Sequence, residues 1–259
     1  MSGFEELKAR TSAVWSSAPW EQAAHMLAPI HVHLVQRLAP QRGDRWLDLA
    51  TGSGAVAVLA ARAGADTTAV DYAPGLIESA RRNADEKGLA VRFDVADVED
   101  LPFGDASFDV LSSSMGMIFA PDHEAVSREV TRVCGPGGRL GFTAWKPGGG
   151  YAPITEKYSP PPEPGAGDSD EWSREDYVRE LLGDAFELDF EHVPFRFAAE
   201  PGETVWERMT YAVGPMKARA ASMEPDERER FHREFVEYVD SFGDQGVPAD
   251  YVLVLGTRK

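Results

Sequence analysis

One cysteine stands in 259 residues, Cys134, so no disulfide can form within the chain. That usage suits a reducing compartment, and the expected location is the cytoplasm. Long apolar runs are also missing. Ala55–Ala61 is among the longest, far short of the ~18 residues that a bilayer-spanning helix needs. The opening Met-Ser-Gly-Phe-Glu-Glu lacks the basic-then-apolar order of a signal peptide. Positive charge is scarce: 26 Lys and Arg stand against 43 Asp and Glu, a net charge of −17. Such a surface repels phosphate backbones and anionic lipid, so neither nucleic acid nor a membrane is expected as a partner. No metal site is expected either. What is present is enough apolar sequence, 43% with 10% aromatic, to bury a full core in one elaborated domain or a domain with a cap.

Strand and helix patterns alternate along the chain, which argues for a parallel sheet with helices on both faces. Residues 4–39 read as helical with a break at Pro29, where proline suits the first turn of a new helix. Strands are read at Arg45–Ala50, Thr67–Val70, Val91–Val95, Val110–Ser113 and Arg139–Trp145. Pro74 opens one helix and Gly88 follows its end, Asp122 caps the next, and Gly135-Pro-Gly-Gly138 reads as a turn before the fifth strand. Residues 147–170 hold six prolines and five glycines and read as loop or lid. Ser173-Arg-Glu-Asp176 resembles a capping box ahead of Val178, Leu181 and Leu182. Phe186–Phe197 and Asp250–Thr257 read as the last two strands. Between them lie helical stretches near 203–221 and 225–242, the second with Phe231, Phe235, Val239 and Phe242 on one face.

The chemistry is concentrated at residues 46–54, Trp-Leu-Asp-Leu-Ala-Thr-Gly-Ser-Gly, a short apolar strand running into a glycine loop that carries an acid. Glycines let the chain turn sharply and let a ligand lie against bare backbone, and the N-terminus of the helix that follows favours a negatively charged ligand group. Nineteen residues after Gly52, a second apolar run ends in Asp71, placed where a carboxylate can accept both hydroxyls of a ribose. A nucleoside-containing cofactor follows from these features. Gly52-Ser-Gly54-Ala-Val-Ala57 also fits the dinucleotide pattern, so an NAD(P)-dependent oxidoreductase stays open on the glycines alone. Asp48 argues the other way, because a carboxylate is unfavourable beside a pyrophosphate and tolerated beside a sulfonium or a ribose.

Five segments then occur in order: Asp48-Leu-Ala-Thr-Gly-Ser-Gly54, Asp71-Tyr-Ala-Pro, Asp97-Val-Glu-Asp-Leu-Pro-Phe103, Phe108-Asp-Val-Leu-Ser-Ser-Ser114 and Arg132-Val-Cys-Gly-Pro-Gly-Gly138. Together they resemble the successive motifs of class I S-adenosylmethionine-dependent methyltransferases, in the subgroup typified by ubiquinone/menaquinone C-methyltransferases and their small-molecule relatives. The resemblance covers residues 43–146, with Ala50 standing where many members have Gly. It implies a Rossmann-like, doubly wound α/β sheet of seven strands in order 3-2-1-4-5-7-6, the last antiparallel. The expected division is an N-terminal helical lid at 1–42, a cofactor-binding core at 43–199, a helical cap at 200–246 and a final core strand at 247–259.

The same resemblance implies S-adenosyl-L-methionine as cofactor and a small-molecule acceptor of bacterial secondary metabolism or quinone-like biosynthesis. It also implies residue roles. Asp48 and the Ala50, Thr51, Gly52, Ser53 and Gly54 backbone line the methionine part. Asp71 holds the ribose, Tyr72 packs near the adenine, Asp97 bonds its amino group, Val98 contacts its ring, and Ser114 lies near the methionine end. A binding or regulatory protein that keeps the cofactor fold without transferring methyl groups is the alternative of another class. For acid–base work, histidine has the suitable ordinary pKa. His31 shares a helical arc with Ile30, Leu34 and Leu38, and His123 follows the fourth strand, so these two are the candidates. Trp15, Trp20, Phe119, Tyr151, Tyr158, Trp206 and Tyr211 are candidates for an acceptor pocket, with about half expected to be core. Cys134 is expected to fill a small apolar space.

Overall fold

A computed structural model describes residues 4–259; Met1–Gly3, which open the expected lid, lie outside the described residues. The N-terminal helices are α1 (Glu5–Ser16), α2 (Glu21–Ala24) and α3 (Ala28–Leu38). Pro29 sits in the first turn of α3, where its missing N–H is no loss. A second interruption falls at Pro19, just ahead of α2. β1 (Arg45–Leu49), α4 (Ala55–Arg62), β2 (Asp66–Asp71), α5 (Pro74–Glu86), β3 (Arg92–Val95), β4 (Phe108–Ser114), α6 (His123–Val133) and β5 (Cys134–Trp145) then alternate. After α7 (Ala152–Thr155) and α8 (Glu175–Leu182) come β6 (Phe186–Val193), the helices α9 (Gly202–Ala212), α10 (Gly214–Ser222) and α11 (Pro225–Asp240), and β7 (Tyr251–Arg258).

The strands form one seven-stranded sheet in the order β3-β2-β1-β4-β5-β7-β6. β3, β2, β1, β4 and β5 are parallel, and β7 runs antiparallel between β5 and β6, which is the expected order and the expected reversed strand. Trp46, Leu47, Leu49, Val110 and Leu111 are fully buried, as strands covered by helices on both faces must be. The carboxyl ends of the parallel strands therefore open on one edge, where the loops converge. Asp122 Oδ1 accepts from the Ala125 amide at 2.8 Å and caps α6, and Gly88 at φ +64 follows the end of α5.

Three local expectations change. Gly135-Pro-Gly-Gly138 is not a turn ahead of the fifth strand: β5 begins at Cys134, and pairing steps from Phe108↔Cys134 to Val110↔Arg139, so the glycines bulge from the ladder. Ser173 does not cap α8, which begins at Glu175; its hydroxyl donates instead to the Asp170 carbonyl at 2.8 Å. The helical stretch 203–221 is split at Val213, because Pro215 can enter only the first turn of a new helix. In α11, Phe231, Phe235 and Val239 are buried, while Phe242 packs only at the margin of the same core. Trp206 of α9 lies 5.0 Å from Phe231 and 5.5 Å from Phe235, centroid to centroid, so the inserted helices share one aromatic core.

Candidate functional site

At the end of β1 the chain turns through three left-handed residues, Ala50 (φ +50), Gly52 (φ +57) and Gly54 (φ +79). A side chain at Gly52 would press on the Trp20 indole nitrogen at 3.2 Å. Ala50 adopts this backbone despite its Cβ, at a cost of about 1 kcal/mol. Its carbonyl oxygen lies 2.6 Å from where a Cβ on Gly116 would sit, so close backbone approach there requires glycine.

Asp48 is buried below the loop. Thr51 Oγ1 donates to one of its oxygens at 2.5 Å and Ser112 Oγ to the other at 2.6 Å, while the Trp46 indole N–H donates to Ser112 Oγ at 2.8 Å. Burial pushes the Asp48 carboxyl up to about 6, against the opposing pull of those hydroxyls. Asp71 is also buried; its oxygens accept from the Gly52 and Ala73 amides, each at 2.9 Å, and burial again pushes its carboxyl up to about 6. Neither acid has a basic side chain as ion-pair partner among the described residues.

A cavity of about 550 Å³ opens above the sheet edge, and Asp48, Ala50, Thr51, Gly52, Ser53, Asp71, Tyr72, Asp97, Val98 and Ser114 all line it. Gly54 does not. It caps α4 and packs instead on Ala80, whose Cβ would stand 3.0 Å from a Cβ at Gly54. Asp97 carries a neighbour that no motif announces: Lys8 of α1 donates to its Oδ2 at 2.6 Å and is also paired with Glu99. Burial works against the charge on Lys8, but these two acids outweigh it and hold its pKa above the ordinary value. α1 meets α10 over the cavity, where Lys217 Nζ donates to the Ser17 carbonyl at 2.7 Å and Gly214 passes against the Val14 carbonyl.

His31 lines this cavity and also a second one of about 330 Å³, the two sharing Ala24, His31, Ser53 and Ala55. It is 7% exposed, has no hydrogen-bond partner among the described residues, and burial pushes its imidazole down to about 4. His123 lies outside the cavity. Its Nδ1 is 2.8 Å from the Tyr177 hydroxyl and its ring 5.0 Å from Trp172, so α8 and the turn before it cover it. A role for His123 at the reacting atoms therefore does not stand. His33 is turned away as well, 2.7 Å from the Tyr251 hydroxyl. Of the candidate aromatics, Trp15, Trp20, Phe119 and Tyr151 line the cavity. Tyr158 stacks on Phe231 at 4.4 Å, Trp206 is core, and Tyr211 is exposed. Cys134 is buried, and burial pushes its thiol up to about 11, as a space-filling role requires.

A family model described as a methyltransferase domain matches residues 47–142. An uncharacterised protein of Mycobacterium tuberculosis is 35% identical over 184 residues, covering 70% of this chain and 67% of that protein. Demethylmenaquinone methyltransferase of Thermus thermophilus is 44% identical over 111 residues, which span 42% of this chain and 49% of the enzyme. Among solved structures, phosphoethanolamine N-methyltransferase 2 of Haemonchus contortus, in complex with S-adenosyl-L-methionine, superposes with a TM-score of 0.58 at 17% identity, covering 88% of this chain and 52% of that one.

Proposed function

This chain belongs to the class I S-adenosylmethionine-dependent methyltransferases and methylates a small molecule; from that premise we propose where the cofactor lies, where the acceptor lies and how its proton is handled. The residues present fit the cofactor. Two buried carboxylates without basic partners suit a ligand that brings positive charge and hydroxyl donors; Asp71 fits any nucleoside ribose, and Asp48, buried directly below the glycine loop, is the one that would repel the pyrophosphate of NAD(P). When bound, S-adenosylmethionine supplies a methyl group made electrophilic by its sulfonium.

Asp71 is fixed by two backbone amides, leaving a lone pair on each oxygen for the ribose hydroxyls. Asp97 would receive the adenine amino group, Tyr72 and Val98 would flank the ring, and Asp48, Ser114 and the backbone of Ala50–Ser53, which line the same cavity, would hold the methionine end. The acceptor occupies the apolar side of the same cavity, roofed by α1 and by α9–α10. The residues that line this side would act by positioning, holding the acceptor's nucleophile toward the cofactor's methyl group. His31 is neutral at pH 7, so a free ring nitrogen can accept a hydrogen bond from the acceptor's O–H or N–H. As a weak base, His31 would take up a proton only from a group that is itself strongly acidic at the moment of transfer.

The carrying observation is the single cavity that joins the three acids, the glycine loop and His31. Calorimetry with S-adenosylhomocysteine, NADH and NADPH tests the cofactor, and binding of a nicotinamide cofactor alone overturns it. His31→Ala is expected to lower turnover with cofactor affinity retained; normal turnover removes the role. Cofactor binding without a methylated product across a broad acceptor screen would favour a regulatory protein. We place the protein in the bacterial cytoplasm, acting on a secondary metabolite or a quinone-like compound, on the strength of the Thermus relative and the lone cysteine.

A further inference from the structure

We propose that the acceptor is a flat, uncharged aromatic molecule whose nucleophile meets His31, and that the cavity turns anionic acceptors away. The inference rests on the assignment of this cavity to cofactor and acceptor together. Beyond the loop, the wall is aromatic. Trp15 and Trp20 stand edge to face at 5.5 Å, Tyr151 and Phe197 stack at 5.0 Å with 9° between their planes, and Phe119 and Trp145 complete the lining. Such faces hold ring systems by offset and edge contacts. Met26, Met115 and Met209 add adaptable apolar surface.

The charges on the wall are one-sided. Asp48, Asp71, Asp97, Glu156 and Asp170 line the cavity, and no arginine does. Of the two lysines there, Lys8 is occupied by Asp97 and Glu99, which leaves Lys146. Burial holds the Asp170 carboxyl above its ordinary range, and the nearby Asp168 and Glu156 push in the same direction. An anion entering here would lose its water and meet carboxylates of the same sign. An uncharged ring loses little water, and its hydroxyl or amine proton can be accepted by His31, which lines the cavity, is 7% exposed and has no hydrogen-bond partner among the described residues.

The test compares 4-phenylphenol with its 4′-carboxylate, the same ring pair with and without an anion, by calorimetry at pH 7.5 on the full chain saturated with S-adenosylhomocysteine. The phenol is expected to bind at least tenfold more tightly. In the Glu156→Gln, Asp170→Asn double variant, affinity for the carboxylate is expected to rise about tenfold while that for the phenol holds. Equal affinity of the two probes for the wild-type protein, or no binding of the phenol, overturns the inference and leaves the cofactor reading intact. Failure of S-adenosylhomocysteine itself to bind overturns the cofactor reading, and this inference with it.

Discussion

Replacing Asp48 by Asn should make the ligand-free protein more stable at neutral pH while weakening its hold on the cofactor. Asp48 is buried, and burial raises its carboxyl from an ordinary 3.8 to about 6. Between those values the folded chain keeps a proton that the unfolded chain releases, so stability falls as pH rises through the window and stays reduced above it. A shift of about 2 units at 1.36 kcal/mol per unit corresponds to about 3 kcal/mol. Asparagine keeps the shape and its amide oxygen can accept from Ser112, whose own oxygen is held by the Trp46 indole. The amide nitrogen then faces Thr51, which must turn its hydroxyl to accept, with a loss of about 1 kcal/mol. The net gain of about 2 kcal/mol at pH 8 corresponds to roughly 5 °C in Tm for a chain of this size. Scanning calorimetry of wild type and Asp48→Asn from pH 4.5 to 8 should show the curves converging at the acid end. A difference that is the same at every pH would refute the reasoning.

Asp71→Ala removes a charge-assisted contact to the ribose and should weaken S-adenosylhomocysteine binding at least tenfold in calorimetry; unchanged affinity would misplace the ribose. Gly116→Ala drives a Cβ to within 2.6 Å of the Ala50 carbonyl oxygen, so a loss of about 1–3 kcal/mol in chemical denaturation is expected, together with weaker cofactor binding from a displaced loop. Cys134, with its thiol pushed up to about 11 by burial, should resist a thiol-specific reagent at pH 8 until the protein is unfolded; rapid labelling of the native protein would contradict that burial.

The strands and the acids at their ends were legible because their signals are local. An apolar run of four to six residues, a glycine and an acid identify a strand end, and parallel pairing then brings Asp48, Asp71 and Asp97 to one edge whatever the lids do. Lys8 was not legible. α1 buries none of its residues fully, so no apolar stripe reports its docking, and the partner of Lys8 lies 89 positions away. His123 misled for the same reason in reverse: its place after β4 is local, but the side chain faces Trp172 and Tyr177, which arrive from a later segment. The aromatics divided between cavity and core, because residue type sets the need for an apolar neighbour and not which neighbour. Gly116 gave no signal in sequence, since its constraint comes from the carbonyl of Ala50.

The roof of the cavity is closed by a seam between distant parts of the chain. Lys217 of α10 reaches the Ser17 carbonyl just beyond α1 across 200 positions, and α1 buries none of its side chains fully, with Trp15 packed at the margin of the core. Parting that seam breaks no hydrogen bond of the sheet. Local opening of α1 therefore requires less free energy than global unfolding, and in hydrogen exchange its amides should fall into a class apart from those of β1 and β4. A ligand that bridges floor and roof would draw the two classes together, so exchange protection along α1 reports occupancy of the cavity without any knowledge of what occupies it.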